Sequence, residues 1–233
     1  MANNYYFSVE KKEKYLYITI MKAALTLLLT VACMLCFSQK YFEGEVHFTN
    51  SYVKKDSSFD MRNIPIYPAT STTAFCKNGN WALWYDEGTT EYVYFSHTAN
   101  KVYYKYYNYD TVIAESLAKL PIGGDTLVSV EKYTNTDTIL GKVCNKFVLN
   151  TTEMKVTFLY PPDYKLNPDW YKNTKNHFYD VIYSNLKAIY LGCIVETKQF
   201  IMTSIAEKII PRSIPDKSLP DFKHLVIKEI TYY

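Results

Sequence analysis

The side chains best suited to move a proton near neutral pH are four histidines, His47, His97, His177 and His224. Each stands alone. None has a carboxylate or a second histidine at a spacing that puts both on one local face, so each reads as a solvated surface residue and not as a base or a ligand. The sequence contains no G-x-S-x-G, H-E-x-x-H, G-x-x-x-x-G-K-[ST] or G-x-G-x-x-G, which removes the common nucleophile elbow, zinc-protease, P-loop and dinucleotide signatures. Cys76, Cys144 and Cys193 are widely spaced, with no C-x-x-C and no cysteine–histidine pair at metal-ligand distance along the chain. They read as three buried thiols on strands, or as one disulfide and one free thiol. The expectation is therefore no catalytic residue, no metal and no cofactor. A site assembled from distant strands is the one arrangement this search does not reach.

Binding chemistry is better represented. The chain has 24 tyrosines against 7 glycines, and tyrosine combines an apolar ring with a polar tip that suits strands. The densest stretch runs from Trp81 to Tyr109. Trp84, Tyr92, Tyr94, Phe95, Tyr104 and Tyr106 are taken from it as candidate ligand-binding residues, lining a groove whose ring tips hold an amphiphile: an acyl chain, a lipidated peptide or a sugar. Alternation divides such residues between faces. Trp81, Leu83 and Tyr85 share one side of their strand, Tyr92 and Tyr94 one side of theirs, and Tyr103, Tyr107 and Tyr109 another. The competing reading is cross-strand aromatic pairing that only stabilises a sheet, at roughly 0.2–1 kcal/mol per pair.

The charge balance limits partners. The formal charge is +3, and four lysines and two glutamates of that total lie in the first 38 residues. The remainder is close to neutral, without the clustered Lys and Arg that nucleic acid requires. Nucleic acid is set aside.

The elements that must position these residues show a period of two. Phe42, Gly44, Val46 and Phe48 alternate with Glu43, Glu45 and His47, which predicts a half-buried strand. Strands at 72–77 and 81–85 flank Asn78-Gly79, a strong hairpin signal. Strands at 91–95 and 101–107 flank a polar turn, and 127–133, 142–150 and 155–159 continue the series. Asn167-Pro168-Asp169 then reads as a helix start. Trp170, Thr174, Phe178, Val181 and Leu186 recur at helical spacing, giving an amphipathic helix or helical insertion. Strands resume at 188–198 and 200–210, prolines follow, and 225–232 alternates as a final strand. Closely spaced strands without alternating helices predict a mainly β fold, an antiparallel curved sheet or half-barrel with one or two helices on its concave face. Asn150-Thr151-Thr152 fits a glycosylation pattern and is read as a surface strand end.

The N-terminal 38 residues read as an extension and signal peptide, and 39–233 as a single domain. Ala23 to Phe37 carries no charge, Lys22 precedes it and Ser38-Gln39 follow, the grammar of a signal peptide cleaved before Gln39. Met21 would itself serve as a start. A lipobox ending at Cys33 is a second reading and an uncleaved anchor a third. Fifteen residues span about 22 Å, short of the roughly 30 Å hydrocarbon core. The expected location is the periplasm or outer membrane, or outside the cell. Membrane contact is expected only through the leader or a lipid anchor.

Several short motifs carry a resemblance: Phe37-Ser38-Gln39, Phe42-Glu43-Gly44-Glu45-Val46, Gly141-Lys142-Val143-Cys144-Asn145-Lys146-Phe147, Pro161-Pro162-Asp163 and Ala206-Glu207-Lys208-Ile209-Ile210-Pro211, running into Ile214–Pro220. With these the chain resembles the LolA/LolB-like superfamily, in particular exported Bacteroidetes-type proteins of unassigned function (GLPGLI-like relatives). The resemblance implies a half-closed antiparallel sheet with helices plugging its concave side, where studied members carry lipid chains or lipoproteins. No trafficking signature transfers residue by residue. The expected function is a non-enzymatic cell-envelope protein that binds a lipid, lipidated peptide or other apolar ligand in a concave aromatic groove. The alternative is a structural or protein-interaction module of an envelope assembly without a small-molecule ligand.

Overall fold

Strand-forming residues in alternating order can satisfy their backbone groups only by pairing, and here they pair into one sheet. A computed structural model describes residues 41–120 and 124–230, and the leader expected over 1–38 lies outside them. The strands are β1 (Gly44–Lys54), β2 (Ser71–Lys77), β3 (Asn80–Tyr85), β4 (Thr90–Ser96), β5 (Lys101–Tyr106), β6 (Thr111–Ser116), β7 (Leu127–Ile139), β8 (Lys142–Thr151), β9 (Lys155–Tyr160), β10 (Gly192–Glu196), β11 (Phe200–Pro211) and β12 (Val226–Ile230). Their order across the sheet is β12-β6-β5-β4-β3-β2-β1-β11-β10-β9-β8-β7. The sheet is curved and does not close. It consists of two meanders, β1–β6 and β7–β11, fused where β1 pairs antiparallel with β11 from Gly44↔Pro211 to Lys54↔Phe200.

The Asn78-Gly79 hairpin forms as expected, with both residues at positive φ and Cys76 opposite Trp81. A glycine is required at the second position. Its φ is +79°, and an added Cβ would meet the Trp170 ring at 2.6 Å. Strand β6, whose buried Val112 and Ala114 lie among Glu115 and Ser116, was not anticipated from the sequence. The final strand also differs from the antiparallel expectation. β12 pairs parallel with β6, Ile227 opposite Val112 and Lys228 opposite Ile113.

The helical expectation over 167–186 is met only at its end. Asn167 accepts a hydrogen bond from the Asp169 N–H at 3.1 Å, but the element it caps is a single 3-10 turn, Pro168–Trp170. The α-helix, α1, runs from Tyr179 to Leu186. It cannot begin earlier because His177 and Phe178 take left-handed φ of 56° and 57°, which breaks the ladder of helical hydrogen bonds. Among the described residues no helix is long and apolar enough to cross a membrane.

Burial follows the pleat. On β1, Gly44, Val46, Phe48 and Asn50 are buried while Glu45, His47, Thr49 and Ser51 are not. The buried set defines an inner face, covered at one end by α1 and its flanking turns. There Phe95, Phe147, Leu117, Leu149, Leu191 and Tyr171 are almost wholly enclosed. The other face is not simply wet. Ala82, Tyr92, Val112 and Ala114 are buried on it. Phe222, from the segment that leads from β11 to β12, packs its ring 4.7 Å from Tyr103 and 5.7 Å from Tyr94. Lys77 ties that segment down by donating to Asp216 at 2.6 Å and to the Ile214 carbonyl at 2.7 Å.

Candidate functional site

Register assigns the six sequence-selected residues to faces. Trp81, Leu83 and Tyr85 of β3 stand opposite Cys76, Ala74 and Thr72. Ala74 and Thr72 in turn oppose Val46 and Phe48 of the inner face, so these β3 residues point inward. Trp84 therefore points outward, as do Tyr92, which opposes it, and Tyr94. Phe95, Tyr104 and Tyr106 point inward. The groove proposed from the sequence thus draws half its residues from each side of the sheet. The physical reason is the period of two, which sends Trp84 to the side opposite Trp81 however dense the rings are. Trp84 and Tyr92 instead form an outer-face pair with centroids 4.7 Å apart.

The three inward residues have different environments. Phe95 is fully buried, stacked 5.4 Å from Trp81 and 5.3 Å from Tyr171, with Tyr179 edge-on at 5.7 Å. This end of the inner face is filled by the protein's own rings. The residual cavity among Phe42, Phe48, Trp81, Tyr171 and Tyr190 is ≈ 40 Å³, well below the ~150 Å³ that admits benzene. An acyl chain does not fit there.

Further along the same face burial is less complete. Leu83, Tyr85, Val93, Tyr104, Tyr190 and Cys193 remain partly exposed, although protein surrounds them on most sides. Burial pushes the Cys193 thiol up to about 12. It raises the Tyr85 phenol too, with the neighbouring Tyr179, Tyr52 and Cys193 adding to the effect. Tyr190 rises for the same reason, with Cys193, Tyr85 and Tyr179 among its neighbours. These groups are deep and mutually close, and together they form a partly exposed patch on the inner face. Such a thiol is not a nucleophile. On the same face, one pleat beyond Tyr104, Tyr106 lines a cleft of ≈ 1000 Å³ with Tyr107, Tyr109, Thr111, Ile113 and Lys228, together with Gly88, Thr89 and Asn108.

A polar cluster unseen in the sequence sits on the groove wall. Glu115 of β6 is buried at 4% exposure. Its carboxylate accepts from Asn176 Nδ2 at 2.6 Å and from the Tyr104 hydroxyl at 3.0 Å, and lies 3.2 Å from His177 Nε2. The partners are separated by 61 and 62 residues, so no local spacing could have revealed them. The nearest signal was the unexplained charge in an otherwise apolar strand, Thr111–Ser116. The cluster fastens the turn before α1 to the sheet, where Lys175 and Asn176 also donate to the Leu117 carbonyl at 2.6 and 3.1 Å. His177 is thus bound to a carboxylate, which corrects its reading as an isolated solvated residue, although its side chain keeps 41% exposure. His47 likewise has Glu45 at 3.5 Å. Among the described residues no group of three or more His, Cys, Asp or Glu could hold a metal, and Cys76, Cys144 and Cys193 are free thiols.

Fold and site together define a mainly β protein with an open, curved sheet and one short helix packed on part of its inner face. No family model matches the sequence, and no curated protein matches it. Among solved structures the chain is similar to that titled "Structure of PNGF-II in P21 space group", with a TM-score of 0.46 and 12% identity over 81% of this chain and 32% of that one. The match therefore spans about a third of the length of that chain.

Proposed function

We propose that this is an exported, non-enzymatic cell-envelope protein that holds an amphiphilic ligand in the unfilled part of its inner-face groove. One observation carries the reading: Leu83, Tyr85, Val93 and Tyr104 stay partly exposed side by side on the inner face, which α1 covers at its other end. Aromatic walls with polar tips beside aliphatic side chains suit a molecule that is apolar along its length and polar at one end. A twelve-carbon chain with half its surface covered would gain roughly 5 kcal/mol at 0.8 kcal/mol per CH₂, before the cost of immobilising it. Affinity then depends on a second contact at the polar end. Assignment to the LolA/LolB-like proteins, and delivery by the N-terminal leader, belong to the same proposal.

The test is native mass spectrometry of protein purified from its own host. A co-purifying apolar molecule is expected, and it should be lost in Val93→Trp, which places an indole in the groove between Leu83 and Tyr104. An empty wild-type protein that also fails to enhance anilinonaphthalene sulfonate fluorescence refutes the reading. N-terminal mass determination of the secreted protein checks export.

A second reading, docking of an envelope protein, is favoured by a separate feature. Edge strand β7 is 13 residues long and exposes Val128 at 64%, Val130 at 41% and Tyr133 at 44%. An unpaired edge of this length accepts an added strand. Val130→Pro should abolish capture of such a partner while leaving groove binding unchanged.

A further inference from the structure

The cleft at the open end of the groove has an uneven charge. Of the residues that line it, Lys228 is the one with a basic or acidic side chain; the others are glycine, threonine, asparagine, isoleucine and tyrosine. Lys228 stands opposite Ile113 in the parallel β6–β12 ladder. It enters no ion pair among the described residues, whereas Lys101 and Lys105, on the neighbouring β5, are paired with Glu229 and Glu91. No carboxylate lines the cleft beside it: Glu115, held by Asn176, Tyr104 and His177, acts on the cleft from the Tyr106 side, and Asp110 is not among the lining residues.

We infer that the groove takes a single-chain amphiphile with an anionic head, the head set against Lys228 and the chain running over Ile113 and Tyr106 toward Val93 and Leu83. This rests on the groove reading and names its ligand class. The geometry supplies both halves of the recognition. An ammonium on the rim is matched by a carboxylate, sulfate or phosphate. Beyond it Ile113, Tyr106 and Val93 favour methylenes, and the Glu115 carboxylate behind Tyr104 opposes a second negative charge. A cationic head would be repelled at the rim, and a neutral head would gain nothing there. The parallel strand has a role in this arrangement: by pairing with β6, β12 carries its lysine to the inner side of the sheet.

The experiment compares dodecanoate, dodecylammonium and dodecyl maltoside, each titrated below its micelle concentration at pH 8 and low salt into wild type, Lys228→Gln and Lys228→Arg. Wild type should bind dodecanoate about fivefold more tightly than the maltoside, the value of one solvent-accessible ion pair near 1 kcal/mol. Dodecylammonium should bind more weakly than the maltoside. Lys228→Gln should remove the preference while leaving maltoside affinity unchanged, and Lys228→Arg should keep it. Added salt should erase it. Equal binding of all three by wild type, or a preference that survives Lys228→Gln, overturns the anionic-head assignment and leaves the groove standing. Failure of all three to bind overturns the groove reading, and this inference with it.

Discussion

Replacing Phe95 by alanine tests whether the covered end of the inner face is filled in the way described. The side chain is fully enclosed, and its ring makes two stacked contacts and one edge contact, all within 5.7 Å. Phe→Ala in a core costs about 3–5 kcal/mol, the larger values arising where neighbours cannot collapse into the space. Here Tyr171, Val102 and Leu117 are themselves at 1%, 0% and 0% exposure, and collapse would mean moving the sheet against α1. The expected loss is therefore about 4–5 kcal/mol. For a domain of this size it corresponds to a fall in Tm of roughly 8–20 °C. The comparison is Tyr106→Ala, at a partly exposed residue on the same face, which should cost no more than about 1.5 kcal/mol. Urea unfolding followed by circular dichroism gives both numbers, and an unchanged m-value shows that the same transition is measured. A Phe95→Ala loss below about 2 kcal/mol, or a Tyr106→Ala loss equal to it, would mean that filled and unfilled parts of the face have been confused.

Three further outcomes are expected. Glu115→Ala removes the acceptor of the buried Asn176 amide and one partner of the Tyr104 hydroxyl and should cost about 2–3 kcal/mol, with Glu115→Gln costing less because an acceptor oxygen remains; equal losses in thermal melts would mean that the hydrogen bonds do not matter. Burial raises the Cys76 and Cys193 thiols to about 12, so at pH 8 roughly one thiol in ten thousand is ionised, and alkylation by iodoacetamide should require unfolding. Burial also holds the Tyr52 and Tyr92 phenols up to about 12, with nearby acidic groups contributing. The unfolded chain releases those protons near 10, so stability present below pH 10 should be lost as pH climbs toward 12. Tyrosinate absorbance and circular dichroism should therefore change together, and early ionisation without unfolding would contradict the burial.

What the sequence reveals here depends on distance along the chain. Alternation of Phe42, Gly44, Val46 and Phe48 is a local pattern, and so is Asn78-Gly79, and both produce the strand and hairpin they predict. The parity of a strand is also local, yet it assigns Trp84, Tyr92 and Tyr94 to the outer face, so ring density alone was a poor guide to the groove. The Glu115 cluster depends on β6 meeting the turn before α1, a contact between distant segments that no spacing encodes. The helix start at Asn167-Pro168 falls eleven residues before that of α1 because Asn-Pro caps any helical turn, and nothing local announces that His177 and Phe178 will adopt left-handed conformations. The direction of β12 is invisible for a related reason: Leu225–Tyr232 alternates equally well whichever way it runs.

The seam between β1 and β11 has a kinetic consequence. Each meander can zip from its own hairpins, most with connections of a few residues and the longest, β9 to β10, of about thirty, whereas joining them requires the two ends of a stretch exceeding 140 residues to find each other. The entropy of closing so long a chain rises only logarithmically, but contacts of such high sequence separation slow folding sharply. The protein should therefore acquire its hairpins well before its seam. During that interval the facing edges of β1 and β11 are bare, and the newly made chain is most exposed to mispairing with its neighbours.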